Sequence, residues 1–318
     1  MKNTKFYLQA AMLLLPAFLS AQNVIPEPTQ YRPAKGQFVL TAAETKAFEA
    51  QDVLPGRVVQ CVISGSTPMD ADEAYHLKIT PDSVFIQSAT ATGAFRGKET
   101  LKQLLRSGKG TAKACVINDA PRYAWRGFML DESRHFFGKK KVKQLLDIMA
   151  SLRLNVFHWH LTDEPGWRIE IKKYPLLTQI GAKGNWHDPD APATFYTQDD
   201  IKEIVAYAAA RHIMVVPEFD MPGHATAACR AYPELSGGGE GRWKDFTFHP
   251  CKEETFRFIS DVLDELITLF PSPYIHIGGD EVHFGNQEWF TDPQIQQFIK
   301  DKQLMNETGL EQYFVRRV

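Results

Sequence analysis

The spacing of apolar and polar residues changes near residue 120, which divides the chain into two regions. In the first region, Tyr75–Thr80 and Ser83–Ser88 alternate apolar and polar positions on either side of Pro81–Asp82, which predicts two strands joined by a turn. A stretch of helical period follows over residues 93–106 and ends at Ser107–Gly108. These patterns predict a small α+β domain.

After residue 122, apolar runs of strand length alternate with stretches of helical period. The predicted strands are Gly127–Leu130, Leu154–Trp159, Ile213–Pro217 and Tyr274–Ile277, and the predicted helices are Lys139–Leu152, Asp199–Arg211 and Glu253–Phe270. Strands that alternate with helices predict a parallel sheet, and continuous apolar runs are typical of strands covered on both faces. The candidates are a doubly wound sheet and a (β/α) barrel.

Ionisable residues follow each of the four predicted strands. They are, in chain order, Asp131 and Arg134; His158, His160 and Asp163; Glu218, Asp220 and His224; and Asp280, Glu281 and His283. A (β/α) barrel places its functional residues in this way, at the carboxyl ends of its strands. A doubly wound sheet often carries a glycine-rich phosphate turn, whereas Gly278–Gly279 precede carboxylates that would repel phosphate. The pattern therefore favours a barrel.

Charge and composition exclude some classes of function. The chain has 36 Lys+Arg against 38 Asp+Glu, so no basic excess exists to neutralise the phosphates of a nucleic acid. At the N-terminus, Lys2 and Lys5 precede an apolar run over residues 6–19 and a small-residue site at Ala21. This pattern predicts a signal peptide cut after Ala21, because the run is shorter than the ~20 residues that span a bilayer. We expect an exported protein, periplasmic or extracellular, without a membrane span.

The predicted organisation is therefore a signal peptide over residues 1–21, an accessory α+β domain over 22–121 and a catalytic barrel over 122–318. The polar segment Asn118–Arg122 marks the boundary, and Gly237–Gly239 is interpreted as a flexible loop tip. The four cysteines are Cys61, Cys115, Cys229 and Cys251. Their spacing contains no CxxC motif, and both disulfides and buried free thiols remain open.

The segment YIHIGGDEV, residues 274–282, carries the strongest chemical signal. An apolar strand leads into two glycines, which permit a tight turn, and then into Asp280 and Glu281. Neighbouring carboxyl groups in a sheltered site shift each other's pKa, so that one can hold a proton and act as a general acid. Glycoside cleavage commonly needs an acid and a carboxylate on opposite sides of the bond, and adjacent residues are too close for that. A mechanism in which the substrate's own group attacks resolves the difficulty.

Four separated segments carry a resemblance to a known family. They are RGFMLDESRHF (126–136), NVFHWHLTDEPGWRIE (155–170), VVPEFDMPGHA (215–225) and YIHIGGDEV (274–282). In this order they resemble the family 20 glycoside hydrolases, the β-N-acetylhexosaminidases, and TGAFRGKETLKQLL (92–105) resembles the accessory domain of that family. The resemblance implies an α/β fold in which a (β/α)8 barrel, present here to about its first half, follows a small α+β domain.

The resemblance also implies a function and a set of site residues. It implies exo-hydrolysis of oligosaccharides or glycoconjugates with a terminal β-linked N-acetylhexosamine, through a retaining, substrate-assisted mechanism, with no cofactor and no metal. Glu281 is the implied general acid/base, and Asp280 holds the 2-acetamido group whose oxygen attacks the anomeric carbon. The implied sugar-binding residues are Arg134, Asp163, His224 and Glu218, and the implied supporting residues are His160 and Asp220.

The sequence departs from the family at its end, and two other functions stay open. The family's barrel continues through four more strands, whereas this sequence ends at Val318 within the predicted helix Leu310–Val318, so we expect a fragment of a longer enzyme. One alternative is a metal-dependent barrel hydrolase that uses His158 and His160. The other is a non-catalytic fragment that binds N-acetylhexosamine.

Overall fold

The computed structural model describes residues 24–62 and 72–318, and the predicted signal peptide over residues 1–21 lies outside the described residues. The chain divides into two compact units, the first ending at Arg122 and the second running over Tyr123–Val318. Within the described residues, no helix is long and apolar enough to cross a membrane.

The first unit is a five-stranded sheet with helices. Its elements are β1 (Gln30–Val39), α1 (Ala42–Gln51), β2 (Val58–Val62), β3 (Tyr75–Ile79), β4 (Val84–Ser88), α2 (Ala91–Ser107) and β5 (Thr111–Asp119). The strand order is β1-β5-β3-β4-β2, with β2 and β4 parallel and the other pairs antiparallel. The predicted β3–β4 hairpin and the helix α2 are confirmed, and the remaining elements of this unit were not predicted.

One face of this sheet is covered by α2. The inward residues of β3 and β4 alternate with exposed ones, and Leu77 and Ile86 join Leu101 and Leu105 of the helix in one apolar cluster. Gly97 allows the close approach, since a Cβ there would lie 2.7 Å from the Cγ2 atom of Ile86. The alternation predicted from sequence therefore reflects a sheet with one buried face.

The second unit alternates strands and helices. Its elements are β6 (Gly127–Asp131), α3 (Lys139–Ser151), β7 (Val156–His160), α4 (Gln198–Ala209), β8 (Met214–Glu218), α5 (Thr226–Ala231), α6 (Glu253–Leu269), α7 (Pro293–Asp301) and α8 (Glu307–Arg317). The strands β6, β7 and β8 are parallel neighbours in chain order. Strand β7 is buried almost throughout, as its continuous apolar sequence predicts.

The predicted fourth strand, Tyr274–Ile277, is only partly formed. One parallel bridge joins Glu218 to His276, and the amide of His276 donates to the Pro217 carbonyl at 2.9 Å. Pro273 precedes the segment and Gly278, at φ +66°, ends it, so the extended stretch is too short for a regular strand. The segment nevertheless lies along the free edge of β8, which brings the residues after it to the carboxyl end of the sheet.

Two further expectations on loops and cysteines are resolved. Gly237–Gly239 is buried and closely packed rather than a flexible tip, because a Cβ at Gly239 would lie 2.0 Å from the Trp243 carbonyl oxygen. All four cysteines are free thiols, and burial raises the pKa of Cys115 to about 11.

Candidate active site

The site begins as a row of polar residues across the carboxyl ends of three parallel strands. The register of the sheet pairs Asp131 of β6 with His160 of β7, and His160 with Glu218 of β8. The bridge from Glu218 to His276 extends the row to the segment that leads into Asp280 and Glu281. The structure thus brings together the ionisable residues that the sequence places after four separate strands.

Glu218 lies in the buried part of this row, surrounded by three imidazoles. Its Oε2 atom accepts from His158 Nε2 and from His160 Nδ1, both at 2.6 Å, and its Oε1 atom pairs with His276 Nδ1 at 2.9 Å. Burial alone would raise the pKa of Glu218, but these hydrogen bonds and charges hold it well below its usual range. Both oxygens of this carboxylate are therefore used within the protein.

His160 connects Glu218 to Asp163. The Nε2 atom of His160 donates to the Oδ2 atom of Asp163 at 2.7 Å, while its Nδ1 atom donates to Glu218. Burial favours the neutral ring, yet the hydrogen bonds to the two carboxylates outweigh it and raise the pKa of His160 to about 10. His160 is consequently an imidazolium at neutral pH.

Asp163 is fully buried and pairs with one guanidinium and two imidazoles. Its Oδ1 atom accepts from His224 Nδ1 at 2.9 Å, and its Oδ2 atom pairs with His160 and with the guanidinium of Arg134. Desolvation would raise the pKa of Asp163, but the hydrogen bonds from His160 and His224 lower it to about 2. Arg134 also pairs with Asp131 at 3.0 Å, so its partly exposed guanidinium is fixed between two carboxylates.

His224 links this buried network to the exposed turn that carries Asp280 and Glu281, which we call the carboxylate turn. Its Nε2 atom lies 3.6 Å from Glu281 Oε2 and 3.8 Å from Asp280 Oδ2. Among the described residues this nitrogen has no hydrogen-bond partner, although it is buried. His224 and Glu281 both have φ of 54°, a left-handed conformation that is costly for residues other than glycine. An imidazole nitrogen that can still form a hydrogen bond therefore lies beside two exposed carboxyl groups.

Asp220 contacts the backbone of the carboxylate turn at Gly278 and Gly279. Gly278 must be glycine, because a Cβ there would lie 1.6 Å from Asp220 Oδ1, and the Gly279 amide donates to the same oxygen at 3.4 Å. Burial, reinforced by the charges of nearby carboxylates, raises the pKa of Asp220 to about 7, although the charge of His224 opposes this. Asp220 therefore changes its protonation state near neutral pH.

Sequence reasoning missed several residues that shape the site. Arg168 is completely buried and its guanidinium donates to the carbonyl oxygens of Glu132, Ser133, Ala182, Gly184 and Thr194. It thereby fixes the segment before Arg134. The surrounding sequence, RIE, does not distinguish this buried arginine from a surface arginine. Trp159 and Trp167 are fully buried in the core.

The hydrogen bonds of His160 disfavour this residue as a ligand in the metal-dependent alternative. His158, Glu218 and His276 lie close enough to ligate a cation, as do His160, Asp163 and Asp220, and also Asp220, His224 and Asp280. A metal needs neutral imidazole ligands, whereas both nitrogens of His160 donate to carboxylates and its pKa lies at about 10. A metal at either nitrogen of His160 would have to displace the proton that this nitrogen donates to a carboxylate.

Comparison with known families matches almost the whole described chain. The family described as "Glycosyl hydrolase family 20, catalytic domain" matches residues 123–318, and "Glycosyl hydrolase family 20, domain 2" matches residues 54–120. A β-hexosaminidase of Porphyromonas gingivalis is 34% identical over 97% of this chain and 45% of its own length. A β-N-acetylhexosaminidase of Cellulomonas fimi is 40% identical over 71% of this chain and 47% of its own length.

Solved structures give the same result. The exo-β-N-acetylglucosaminidase of Vibrio harveyi, solved in complex with N-acetylglucosamine, matches with a TM-score of 0.80 at 32% identity, over 93% of this chain and 52% of that chain. The enzyme of Bacteroides fragilis matches with a TM-score of 0.77 at 32% identity, over 92% of this chain and 63% of that chain. The chain thus spans about half the length of most of these relatives. The likeness confirms the predicted fold class, part of a (β/α)8 barrel preceded by a small α+β unit.

Proposed function

The chain belongs to glycosyl hydrolase family 20, and we propose that it is an exo-acting β-N-acetylhexosaminidase that removes terminal N-acetylglucosamine or N-acetylgalactosamine from glycans. The observation that carries the proposal is the buried Asp163–His224 pair, whose free Nε2 atom faces Asp280 and Glu281 at 3.8 and 3.6 Å. The names of the relatives support the same reaction class.

In the first step, Glu281 donates its proton to the glycosidic oxygen while the carbonyl oxygen of the substrate's 2-acetamido group attacks the anomeric carbon. The bond from that carbon to the leaving oxygen breaks, and an oxazolinium ion forms. Asp280 accepts a hydrogen bond from the acetamido N–H and balances the positive charge that develops. The proximity of these two exposed carboxyl groups suits this division of labour, since neither has to attack from the opposite face.

In the second step, the Glu281 carboxylate takes a proton from water as the water oxygen attacks the anomeric carbon. The oxazolinium ring opens, the acetamido group is restored, and the sugar leaves with its β configuration retained. His224 assists by donating from Nε2 to the carboxylate turn, because its Nδ1–H bond to Asp163 fixes the ring. His224 and Asp163 are positioning residues in this proposal.

Arg134 is proposed to bind the hydroxyl groups of the terminal sugar. A guanidinium presents parallel N–H donors that match two neighbouring hydroxyls. Asp131 and Asp163 hold Arg134 so that it stays partly exposed, with 29% of the side chain accessible. A fixed donor pair at this place favours the end of a chain over its interior, which is the basis of exo action.

The test is release of nitrophenol from an aryl β-N-acetylglucosaminide by this chain, with the aryl β-glucoside and a chelator as controls. Substrate assistance requires the acetamido group, so activity is expected only on the first substrate, without sensitivity to the chelator. Glu281→Gln and Asp280→Asn are each expected to lower kcat by at least about 100-fold. Asp199→Asn, which changes a carboxylate with 96% of its side chain exposed, should not change kcat. Equal hydrolysis of the β-glucoside would contradict the mechanism.

We also propose that the protein is exported. The charged residues Lys2 and Lys5, the apolar run after them and the small residues before Gln22 support this. The measurement is the N-terminal sequence of the protein recovered from the periplasm or medium of a bacterial host. A start at Gln22 is expected, and a start at Met1 in the cytoplasm would contradict it.

A further inference from the structure

Arg168 joins two loop segments of the second unit through its guanidinium. The side chain is completely buried, and each of its three guanidinium nitrogens donates to a backbone carbonyl. The first segment, residues 132–133, directly precedes Arg134, and the second segment covers residues 182–194. The acceptors are the carbonyl oxygens of Glu132 and Ser133 in the first segment and of Ala182, Gly184 and Thr194 in the second. One side chain therefore holds together two segments that lie far apart in the sequence.

The first segment is also tied to the backbone beside Asp163. Ser133 Oγ donates to the Gly166 carbonyl at 2.6 Å, and the same oxygen accepts from the Asp163 amide at 3.3 Å. The guanidinium of Arg168 packs directly on Gly166, where a Cβ would lie 2.3 Å from the Arg168 Cζ atom. The backbone before Arg134 and the backbone after Asp163 therefore meet at this buried guanidinium.

The second segment contacts Arg134 directly. The amide of Trp186 donates to the Arg134 carbonyl at 3.0 Å. Arg168 donates from Nη1 to the Ala182 carbonyl and from Nη2 to the Gly184 carbonyl, both at 2.7 Å, so it fixes the backbone that leads to Trp186. Arg168 thus holds the residues before Arg134 and also the segment that binds the Arg134 carbonyl.

The contacts of the Arg134 side chain depend on where its backbone lies. Its guanidinium pairs with Asp131 at 3.0 Å and with Asp163, and 29% of the side chain stays accessible. A shift of the backbone would break one of these pairs or turn the accessible N–H donors away. A misplacement of about 1 Å in a group that binds substrate can lower the rate on the order of 100-fold. The backbone position that Arg168 fixes therefore decides whether Arg134 matches the hydroxyl groups of a sugar.

The chemistry of Arg168 suits this role. A guanidinium is planar and carries five N–H donors, so it can reach the carbonyls of both segments at once, whereas a lysine ammonium has three donors. Burial lowers the pKa of Arg168 to about 10, against the charge of Glu132, and the group is still a cation at neutral pH. Its hydrogen bonds to carbonyl oxygens are therefore charge-assisted, which makes them stronger than bonds between neutral groups.

We infer that Arg168 is a positioning residue for the terminal sugar and acts through Arg134, whose guanidinium it keeps at the place where the sugar hydroxyls bind. The inference rests on the proposed function, because Arg134 has this role only if the chain takes a terminal sugar. Arg168 itself is completely buried and touches no substrate. Its replacement should therefore weaken binding of the sugar and leave the chemistry at Glu281 in place.

The experiment is a double-mutant cycle on kcat/KM for the aryl β-N-acetylglucosaminide, with Arg168→Lys, Arg134→Ala and the double variant. Hydrogen bonds from a charged group predict a fall of at least about tenfold in kcat/KM for Arg134→Ala. Arg168→Lys should lower kcat/KM by about tenfold, mainly through KM, because the Arg134 donors bind the sugar in the ground state and the transition state alike. In the Arg134→Ala background, Arg168→Lys should lower kcat/KM by less than about twofold, since the group that it positions is gone.

Two further variants separate positioning from loss of fold. Arg230 also donates to backbone carbonyls, those of Gly181 and Lys183, but to none of residues 131–137 among the described residues. Arg230→Lys should accordingly leave kcat/KM unchanged. Ser133→Ala removes one hydrogen bond to Gly166 and keeps Arg168, and it should raise KM about threefold in the unmodified chain and not in the Arg134→Ala background.

The outcomes distinguish the inference from the proposed function. Loss of folded enzyme lowers kcat by the same factor whether or not Arg134 is present, so equal losses from Arg168→Lys in both backgrounds overturn the inference and leave the proposed function standing. Tryptophan fluorescence checks that each variant is folded. If Arg168→Lys does not fold, an equal effect of Ser133→Ala in both backgrounds overturns the inference in its place. Absence of nitrophenol release by the unmodified chain overturns the proposed function and the inference with it.

Discussion

The two units of this chain bury charged side chains in different ways. On α2 of the first unit, Arg96 pairs with Glu73 at 2.7 Å, and Lys102 pairs with Glu99 at 2.7 Å and Asp52 at 2.8 Å. Each of these charged groups pairs with a group of opposite charge. We call such a cluster closed, because none of its charges lacks a partner. This cluster joins α2 to the end of α1 and to the segment before β3.

The network of the second unit is open at one end. It runs from Glu218 through His160 and Asp163 to His224, and it stops at a buried nitrogen that faces two exposed carboxyl groups. Perturbed pKa values accompany it, raised at His160 and lowered at Asp163. The comparison teaches that burial and charge alone do not identify a functional site. A buried network that ends in a polar atom without a hydrogen-bond partner does.

The largest effect is expected at Asp163. Asp163→Asn keeps the shape of the side chain but removes the charge that one guanidinium and two imidazoles share, which should destabilise the second unit by about 3–5 kcal/mol. Glu99→Gln is the counterpart in the first unit, and about 1 kcal/mol is expected because Lys102 keeps Asp52. Urea unfolding followed by tryptophan fluorescence and by circular dichroism measures both.

Tryptophan fluorescence reports on the second unit alone, since all six tryptophans follow residue 122. Asp163→Asn should therefore shift the fluorescence transition strongly. Equal destabilisation by Asp163→Asn and Glu99→Gln would contradict the distinction between an open and a closed network.

The next effect is a pair of opposite pH dependences. The pKa of Asp220 is raised from 3.8 to about 7, so the stability this group contributes is present below about pH 4 and is lost as pH rises through 7. The loss amounts to about 4 kcal/mol at most. Asp220→Asn should accordingly become more stable relative to the unmodified chain as pH rises over this window.

Asp52 in the closed cluster should behave in the opposite way. Burial would raise its pKa, but Lys102 and Arg106 lower it, so its contribution is present at neutral pH and is lost on acidification. Asp52→Asn should be destabilising at pH 7 and have less effect at pH 3. Unfolding of both variants at a series of pH values is the measurement, and slopes of the same sign would contradict the comparison.

A third prediction uses two neighbouring glycines. Both have positive φ, 66° at Gly278 and 101° at Gly279, but a Cβ at Gly278 would collide with Asp220 whereas one at Gly279 meets nothing within 4 Å. Gly278→Ala should cost more than about 2 kcal/mol and displace the carboxylate turn, and Gly279→Ala about 1–2 kcal/mol from backbone strain. If the two variants unfold at the same urea concentration, the contact with Asp220 is not what requires glycine.

Much of the second unit could be predicted from sequence, because each strand there is an apolar run that ends in ionisable residues. The convergence of Asp131, His160 and Glu218 follows from parallel strands in register. What sequence could not supply is the partner of each group. Both oxygens of Glu218 pair with histidines, and Arg168 donates mainly to backbone carbonyls. Backbone partners leave no trace in side-chain patterns.

The first unit was less predictable for a related reason. Strand β1 is exposed along most of its length, so its sequence lacks the alternation that identifies β3 and β4. Strand β2 is likewise mostly exposed, with its central residues open to solvent. Hydrophobic periodicity detects a strand through the face it buries, and these two strands bury little.

The smallest effect concerns a feature that the two units share. Thr41 before α1 and Thr197 before α4 each form a capping box, with Glu44 and Asp200 respectively. Replacing either threonine with alanine should lower the free energy of unfolding by about 1 kcal/mol, since one amide of the first turn loses its acceptor.

The first unit has its own apolar core, so Thr41→Ala should shift the transition seen by circular dichroism and leave that of tryptophan fluorescence in place. Thr197→Ala should shift both. A shift of the fluorescence transition by Thr41→Ala as large as that by Thr197→Ala would mean that the units unfold together, and the contrast between their networks would then be one of local chemistry within a single cooperative structure.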